Sequence, residues 1–274
     1  MAMTVSGPTV SFARRMTLSP CATVSTAVPL LELRQVHLRR GITQVFAGLN
    51  LALAQPRIGL IGHNGAGKTS LLRLLCALEV PDAGQVLSQG QDLHALPHGQ
   101  LRAQRAGMMF QNPDDQIIFP TVEEELALGL QPQGLSRREA LARARAFLAE
   151  RGLADWAVRA VASLSQGQRQ QVCWLALLLA GPRTLLLDEP YASLDLPGQA
   201  RLSDDIEACD RQVLVSTHVL DHVRDYPRVI WLDGGCVRAD GPGREVCAAY
   251  EASVAHEVHQ ARAGRAGMRT ARAA

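Results

Sequence analysis

Apolar and polar residues alternate along 30–38 (LLELRQVHL) and again along 47–54 (AGLNLALA), the period of two expected of strands with one buried face. Three later runs are short and largely continuous in apolar residues: Arg57 to Ile61, Thr184 to Leu187 and Gln212 to Ser216. Such runs suit a mostly parallel sheet covered on both faces. Helical spacing fills the intervals. Ser70 to Leu78 follows a glycine-rich loop. Ser136 and Glu139 form a capping box that opens a helix reaching about Arg151, with Leu141, Ala144, Phe147 and Leu148 on its apolar face and Gly152 ending it. Gln168 to Ala180 is a second long helix, stopped by Gly181-Pro182. From Ala252 the chain is rich in Ala and Arg and is expected to fray. The pattern is that of an α/β protein with one folded unit over 30–250, a disordered leader at 1–29 and a flexible tail at 251–274.

Composition narrows the class. The longest strongly apolar run, Val172 to Ala180, is far shorter than the roughly 20 residues that cross a bilayer. Net charge is +2, but the two tails carry +4 between them and leave 30–250 at −2, which argues against a nucleic-acid reader. The six cysteines show no C-x-x-C pair and no zinc spacing, and read as mostly buried thiols in a reducing compartment. Arg14-Arg15 precede a run containing Leu18 and Cys21, but Ser, Thr and Pro20 interrupt it, so no targeting segment forms. His94, His98 and His222 lack ligand spacing and read as surface residues, while Trp156, Trp174 and Trp231 are scattered as packing residues are.

Only one of the 28 basic side chains is a lysine. Lys68 ends the run Gly62-His63-Asn64-Gly65-Ala66-Gly67-Lys68 and is followed by Thr69, the G-x-x-x-x-G-K-[ST] spacing of a phosphate-binding loop between a strand and a helix. Lysine brings a compact, rotatable charge to the β- and γ-phosphates, where the wide planar fork of arginine fits poorly. This loop predicts binding of ATP or GTP.

Later motifs discriminate among nucleotide users. Leu185-Leu186-Leu187-Asp188-Glu189 delivers two acids at the end of a buried strand, where a magnesium ligand and a base are needed. Leu164-Ser165-Gln166-Gly167-Gln168 opens a helix with a serine hydroxyl and free N–H groups. Ser193-Leu194-Asp195 follows the acid pair, Ser216-Thr217-His218 ends the next strand, and Phe110-Gln111-Asn112-Pro113 stands earlier. In this order and spacing the residues closely resemble the ATP-binding cassette (ABC) family over about 30–240. LSQGQ differs from the commonest LSGGQ only at Gln166.

The resemblance implies a P-loop nucleotidase fold: a mostly parallel core sheet, an antiparallel β subdomain and a helical signature subdomain at about 112–180. It implies that residues from Gly62 to Ser70 (His63, Asn64, Gly65, Ala66, Gly67, Lys68 and Thr69 among them) wrap ATP. Thr69, Gln111 and Asp188 hold Mg²⁺ or its water shell, Glu189 is the general base, and His218 steadies the γ-phosphate. Ser165, Gly167, Gln168 and Asp195 act in trans on ATP held by a second copy, which makes a homodimer, or else a pair with a sister ATPase, the working unit. His63 occupies a variable loop position and reads as a solvent-facing filler. The family's adenine-stacking aromatic is absent. The corresponding position is Arg40, beside Arg39, and is expected to stack its guanidinium on the base; the bland alternative is a solvated arginine pair.

The stretch Asn112 to Glu124 resembles the ATPases of energy-coupling factor (ECF) importers, which bring vitamins and transition-metal ions into prokaryotes; the biotin, cobalt and nickel group is the nearest. That resemblance implies a transmembrane coupling subunit, a substrate-binding membrane subunit, and a peripheral place on the cytoplasmic face of the inner membrane. Asp114, Asp115 and Glu123-Glu124-Glu125 are expected either to form an acidic groove for coupling helices or simply to be a solvated helix start. Two rivals stand beside this reading: a subunit of another ABC transporter type, and a soluble ABC ATPase. Fewer than a hundred residues separate Lys68 from Ser165 with no heptads between, which weighs against the second.

Overall fold

In the computed structural model, which describes residues 29–96 and 100–271, β1 (Leu31–Arg40) and β2 (Thr43–Leu53) form an antiparallel hairpin about Gly41-Ile42. The expected leader (except Pro29) and His98 lie outside the described residues. Both strands outrun the alternation that predicts them, because their outer residues pair only with each other, as Arg40 does with Thr43. With β4 (Ala83–Ser88) and the short β5 (Gln91–Asp92) they make a four-stranded antiparallel sheet in the order β2-β1-β4-β5. The second sheet uses β3 (Arg57–Ile61), β6 (Ala106–Met109), β7 (Thr184–Asp188), β8 (Gln212–Ser216), β9 (Arg228–Asp233) and β10 (Cys236–Gly241). Its order is β10-β9-β3-β8-β7-β6, parallel from β9 to β6 with β10 antiparallel at the edge.

The continuous apolar character of the central strands follows from burial on both faces. One face packs with α1 (Lys68–Leu75) and the antiparallel sheet, where Leu31, Phe46, Leu72, Leu186 and Leu214 share a core. On the other face Trp174, Leu187, Val213, Leu202 and Trp231 meet, from the sheet, α5 (Gln166–Ala180) and α6 (Leu196–Ala208). A third core joins α3 (Val122–Leu128), α4 (Arg137–Glu150) and α5 through Val122, Leu126, Ala144, Leu148 and Leu175. This is the helical unit that follows the Gln111 loop; α2 (Gln100–Arg105) precedes β6. β6 itself, Ala-Gly-Met-Met, carries no strand signature. It is a strand through its parallel register with β7, and α5 lies so close above it that a Cβ at Gly107 would sit 2.6 Å from Leu177 Cδ1.

Several expectations are corrected. α1 begins at Lys68 rather than Ser70 and ends at Leu75 rather than Leu78, with Ala77 in the left-handed region at φ 58°. α5 starts two residues early because Ser165 and Gln168 close a second capping box. The chain does not leave helix at Ala252: α7 runs Gly243–Ala271, as its many Ala, Arg and Glu residues favour. Among the described cysteines, Cys173 and Cys247 are buried and Cys236 is exposed; burial pushes the Cys173 thiol up to about 12.

Gln212 fastens the two sheets together. Buried at the start of β8, it accepts from Thr184 Oγ1 at 2.9 Å and donates to the carbonyls of Leu53 at 3.1 Å and Gln55 at 3.0 Å. Gln212→Ala strands these groups, and chemical denaturation should show a loss of about 2 kcal/mol with the slope unchanged.

Candidate active site

The phosphate loop hangs between β3 and α1 on backbone that only glycine supplies. Gly62 has φ 147°, and a Cβ there would lie 2.1 Å from the carbonyl oxygen of Leu232, the neighbouring β9 residue. Gly67, at φ 101°, turns the chain into α1 with the Phe46 ring directly behind it. The Lys68 side chain folds back across the loop, its Nζ donating to Gly62 O at 2.7 Å and His63 O at 3.3 Å. Burial pulls its pKa below the ordinary lysine value, while the carboxylates of Glu189 and Asp188 act in the opposite direction.

Those carboxylates arrive on β7. Asp188 ends the strand, paired in register with Ser216, and its Oδ2 accepts from Thr69 Oγ1 at 2.7 Å. Glu189 leaves the strand in the left-handed region at φ 48°, held by its N–H on Ser216 O at 2.9 Å. This turn aims its carboxylate at His218, beyond the end of β8: Oε2 is 2.7 Å from His218 Nδ1 and accepts from the His218 N–H at 3.3 Å. Asp188 and Glu189 are 4% and 9% exposed, whereas the His218 side chain is largely open to solvent.

Lys68, Thr69, Asp188, Glu189 and His218 line one cleft of about 660 Å³, which Arg40, Gln111 and the loop residues Gly62 to Gly65 extend. Ser165, Gly167, Gln168 and Asp195 are not part of it. They line a separate cavity of about 390 Å³ between α5 and α6. Ser165 and Gln168 cap each other's backbone N–H groups at 3.0 and 3.2 Å, and Asp195 caps α6 by accepting from Gly198 N–H at 2.9 Å. Arg169, one residue on, joins the two regions. Its Nε lies 2.9 Å from Asp114, in the turn after Gln111, and its Nη1 donates to Leu164 O at 2.8 Å.

The acidic stretch is mostly consumed internally, and it is not a solvated helix start. Glu123 is buried beneath a forked pair with Arg145, which holds its carboxyl below the usual range. Glu125 is buried and accepts from the N–H groups of Ile118 and Phe119, both at 2.9 Å. Glu124 binds Thr121 and Arg137. Asp114 is engaged by Arg169, so any acidic groove here is smaller than the sequence suggests.

His63 and His222 differ from expectation, and Arg40 has a partner that its neighbourhood in the sequence does not suggest. Arg40 is not a loose solvated charge: Glu79 takes its Nη2 at 2.7 Å and Nε at 3.2 Å, fixing the plane by its edge. His63 is more than a filler, since the ring of Tyr250 on α7 lies 5.3 Å away. Tyr250 lines the cleft and belongs to no motif, so no signal in the sequence marks it. His222 is not a plain surface residue either; it stacks on Tyr191 at 3.7 Å.

Residues 47–192 match the family model described as ABC transporter. The chain is 44% identical over 224 residues to the biotin transport ATP-binding protein BioM of Rhodobacter capsulatus, covering 82% of this chain and 95% of that protein. It is 37% identical over 193 residues to the energy-coupling factor transporter ATP-binding protein EcfA1 of Streptococcus thermophilus, covering 69% and 70% of the two. Among solved structures, cbiO1 of Clostridium perfringens, part of the ABC transporter complex cbiONQ, superposes with a TM-score of 0.69 at 24% identity over 87% of this chain and 98% of its own, a likeness of fold.

The Arg169–Asp114 pair is partly exposed, so its loss should barely change stability. Arg169→Ala should nevertheless slow steady-state ATP hydrolysis about fivefold, because it frees the Gln111 loop from the signature helix, while ATP affinity measured by titration stays at the wild-type value.

Proposed function

The chain belongs to the ABC transporter family, and on that footing we propose that it is the ATP-hydrolysing subunit of a membrane importer of the energy-coupling factor type, with biotin the leading cargo and cobalt or nickel next. The observation that carries this reading is the likeness to a biotin transport subunit over nearly that protein's whole length.

Within this reading the residues from Gly62 to Ser70 cradle ATP, with Lys68 leaving its loop carbonyls for the β- and γ-phosphates. Thr69 and Asp188 offer a hydroxyl and a carboxylate, hard oxygen donors suited to Mg²⁺, an ion that takes few protein ligands beside phosphate and water. Gln111, on the wall of the same cleft, would help hold the ion, which when bound would supply charge neutralisation at the phosphates. Glu189 accepts the proton of the attacking water, its carboxylate oriented by His218, which also contacts the γ-phosphate. Arg40, fixed by Glu79, offers the face of its guanidinium to adenine.

Ser165, Gly167, Gln168 and Asp195 occupy a cavity of their own, and in this reading they complete the site on a second copy in a twofold homodimer. Asp114, Asp115 and the exposed Ile118 form the surface that meets a transmembrane coupling subunit, itself joined to a substrate-binding membrane subunit. None of the helices among the described residues is long and apolar enough to cross a membrane, which suits a peripheral subunit on the cytoplasmic face.

Purifying the tagged chain from native membranes in mild detergent tests the reading. A small integral-membrane coupling protein together with a ligand-loaded membrane protein is the expected result. Recovery with ribosomes or DNA-repair proteins from the soluble fraction alone would overturn it. At the adenine site, Arg40→Ala and Glu79→Gln should each weaken ATP binding about threefold to tenfold by titration, and unchanged affinity in Arg40→Ala would remove the stacking role.

A further inference from the structure

His63 is the one ring inside a loop whose geometry is otherwise set by glycines, and nothing in phosphate binding requires a side chain there. What it meets is α7. The Tyr250 ring stands 5.3 Å from the His63 ring at 48°, and Glu257 Oε2 lies 3.6 Å from His63 Nε2. That nitrogen is shut off from solvent and makes no hydrogen bond among the described residues. Tyr250 and Glu257 are seven residues apart, two turns, and so project from one face of the helix. Tyr250 is seated in turn against Trp231 of β9, edge to face at 5.2 Å. Trp231 is the register partner of Ile61, and the next residue, Leu232, presents the carbonyl against which Gly62 packs. Helix, strand and loop are thus one contiguous packing unit, with Tyr250 itself on the wall of the nucleotide cleft.

We propose that Tyr250 and Glu257 are positioning residues for nucleotide binding, holding the first half of the phosphate loop through His63 so that the C-terminal helix helps set the affinity for ATP. The inference rests on the reading of this loop as the ATP site. His63 presents its ring to α7 while its carbonyl receives Lys68 Nζ at 3.3 Å, so a shift of the helix reaches the lysine cradle through a single residue. Such a contact acts on ground-state binding and leaves Glu189 and His218, on the other side of the cleft, where they are.

Full-length chains carrying Tyr250→Ala, Tyr250→Phe, Glu257→Gln, His63→Ala and the double change Tyr250→Ala/His63→Ala are compared by ATP titration, steady-state ATPase kinetics and thermal melting. Tyr250→Ala should raise Kd and KM for ATP about threefold to tenfold, the range of one aromatic contact, with kcat within about twofold of wild type. Tyr250→Phe, which keeps the ring, should restore wild-type affinity. The double variant should be no weaker than the weaker single one, because both remove the same link. Glu257→Gln alters an exposed side chain and cannot act by unfolding the protein; it should weaken binding in the wild-type background and do nothing beside His63→Ala. If Tyr250→Ala fails to fold, the Glu257→Gln and His63→Ala cycle decides alone. Wild-type affinity in a folded Tyr250→Ala protein, or additive effects with His63→Ala, would overturn the proposal. Absence of ATP binding by the wild-type chain would instead overturn the reading of the loop.

Discussion

Lys68, Asp188 and Glu189 bring one positive and two negative charges to the ends of β3 and β7, where each keeps less than a tenth of its surface. Charges lose several kcal/mol of hydration in such a place, and hydrogen bonds to them offset part of that cost. The carbonyls of Gly62 and His63, the Thr69 hydroxyl and the His218 imidazole answer them here. Those partners come from α1, the loop after β3 and the turn after β8, so they meet only when β3, β8 and β7 lie side by side in that order. The apolar layers on both faces of the sheet hold that order. Glu189 at φ 48° records what the arrangement demands, since a non-glycine residue rarely takes this conformation.

The one lysine and its many arginines divide the labour by geometry. Arginine appears wherever two oxygens must be held in a plane: on Glu123 by Arg145, on Asp240 by Arg228, on Glu251 by Arg224 and on Glu79 by Arg40. Each is a fork on a carboxylate, a match that an ammonium cannot make. Several of these pairs join parts of the chain far apart in sequence, so they lock distant elements at a fixed angle. Where both partners are open to solvent, as in the Arg224–Glu251 pair, the energy is modest and the value lies in geometry. Arg57 spreads its fork over the carbonyls of Arg211 and Glu207 among others, whereas Lys68 sets a single compact charge on the carbonyls of Gly62 and His63 in the phosphate loop.

The helical unit that carries the signature is tied to the central sheet through α5 and the turn after Gln111. α5 shares the second and third cores, and Arg169 at its start reaches the turn after Gln111. Arg169 thereby links the turn that carries Asp114 to the residues beside Ser165. α7 holds the opposite end of the sheet in a comparable way, leaning on Trp231 and His63. Tyr250 of α7 thus lines the nucleotide cleft itself, while the signature residues line a cavity of their own.

Motifs with fixed local spacing were readable from residue order, because their geometry is built within one turn or loop. The glycines of 62–67, Lys68, the acid pair at the end of an apolar strand and the Ser136 cap belong to this kind, and so do the family resemblance and the strands Arg57–Ile61 and Gln212–Ser216. Elements formed only by their neighbours stayed hidden. β6 is a strand because it pairs in parallel with β7 under α5. The burial of Glu123 and Glu125 against their partners, the clamp of Glu79 on Arg40 and the approach of Tyr250 to His63 join residues between six and 187 positions apart, and none repeats or spaces itself in a recognisable way. Sequence by itself determined which chemistry the chain can present, since that depends on residue type and local spacing. Which side chains are free to perform it was decided by tertiary packing, which alone assigns each charge a partner and each ring a neighbour.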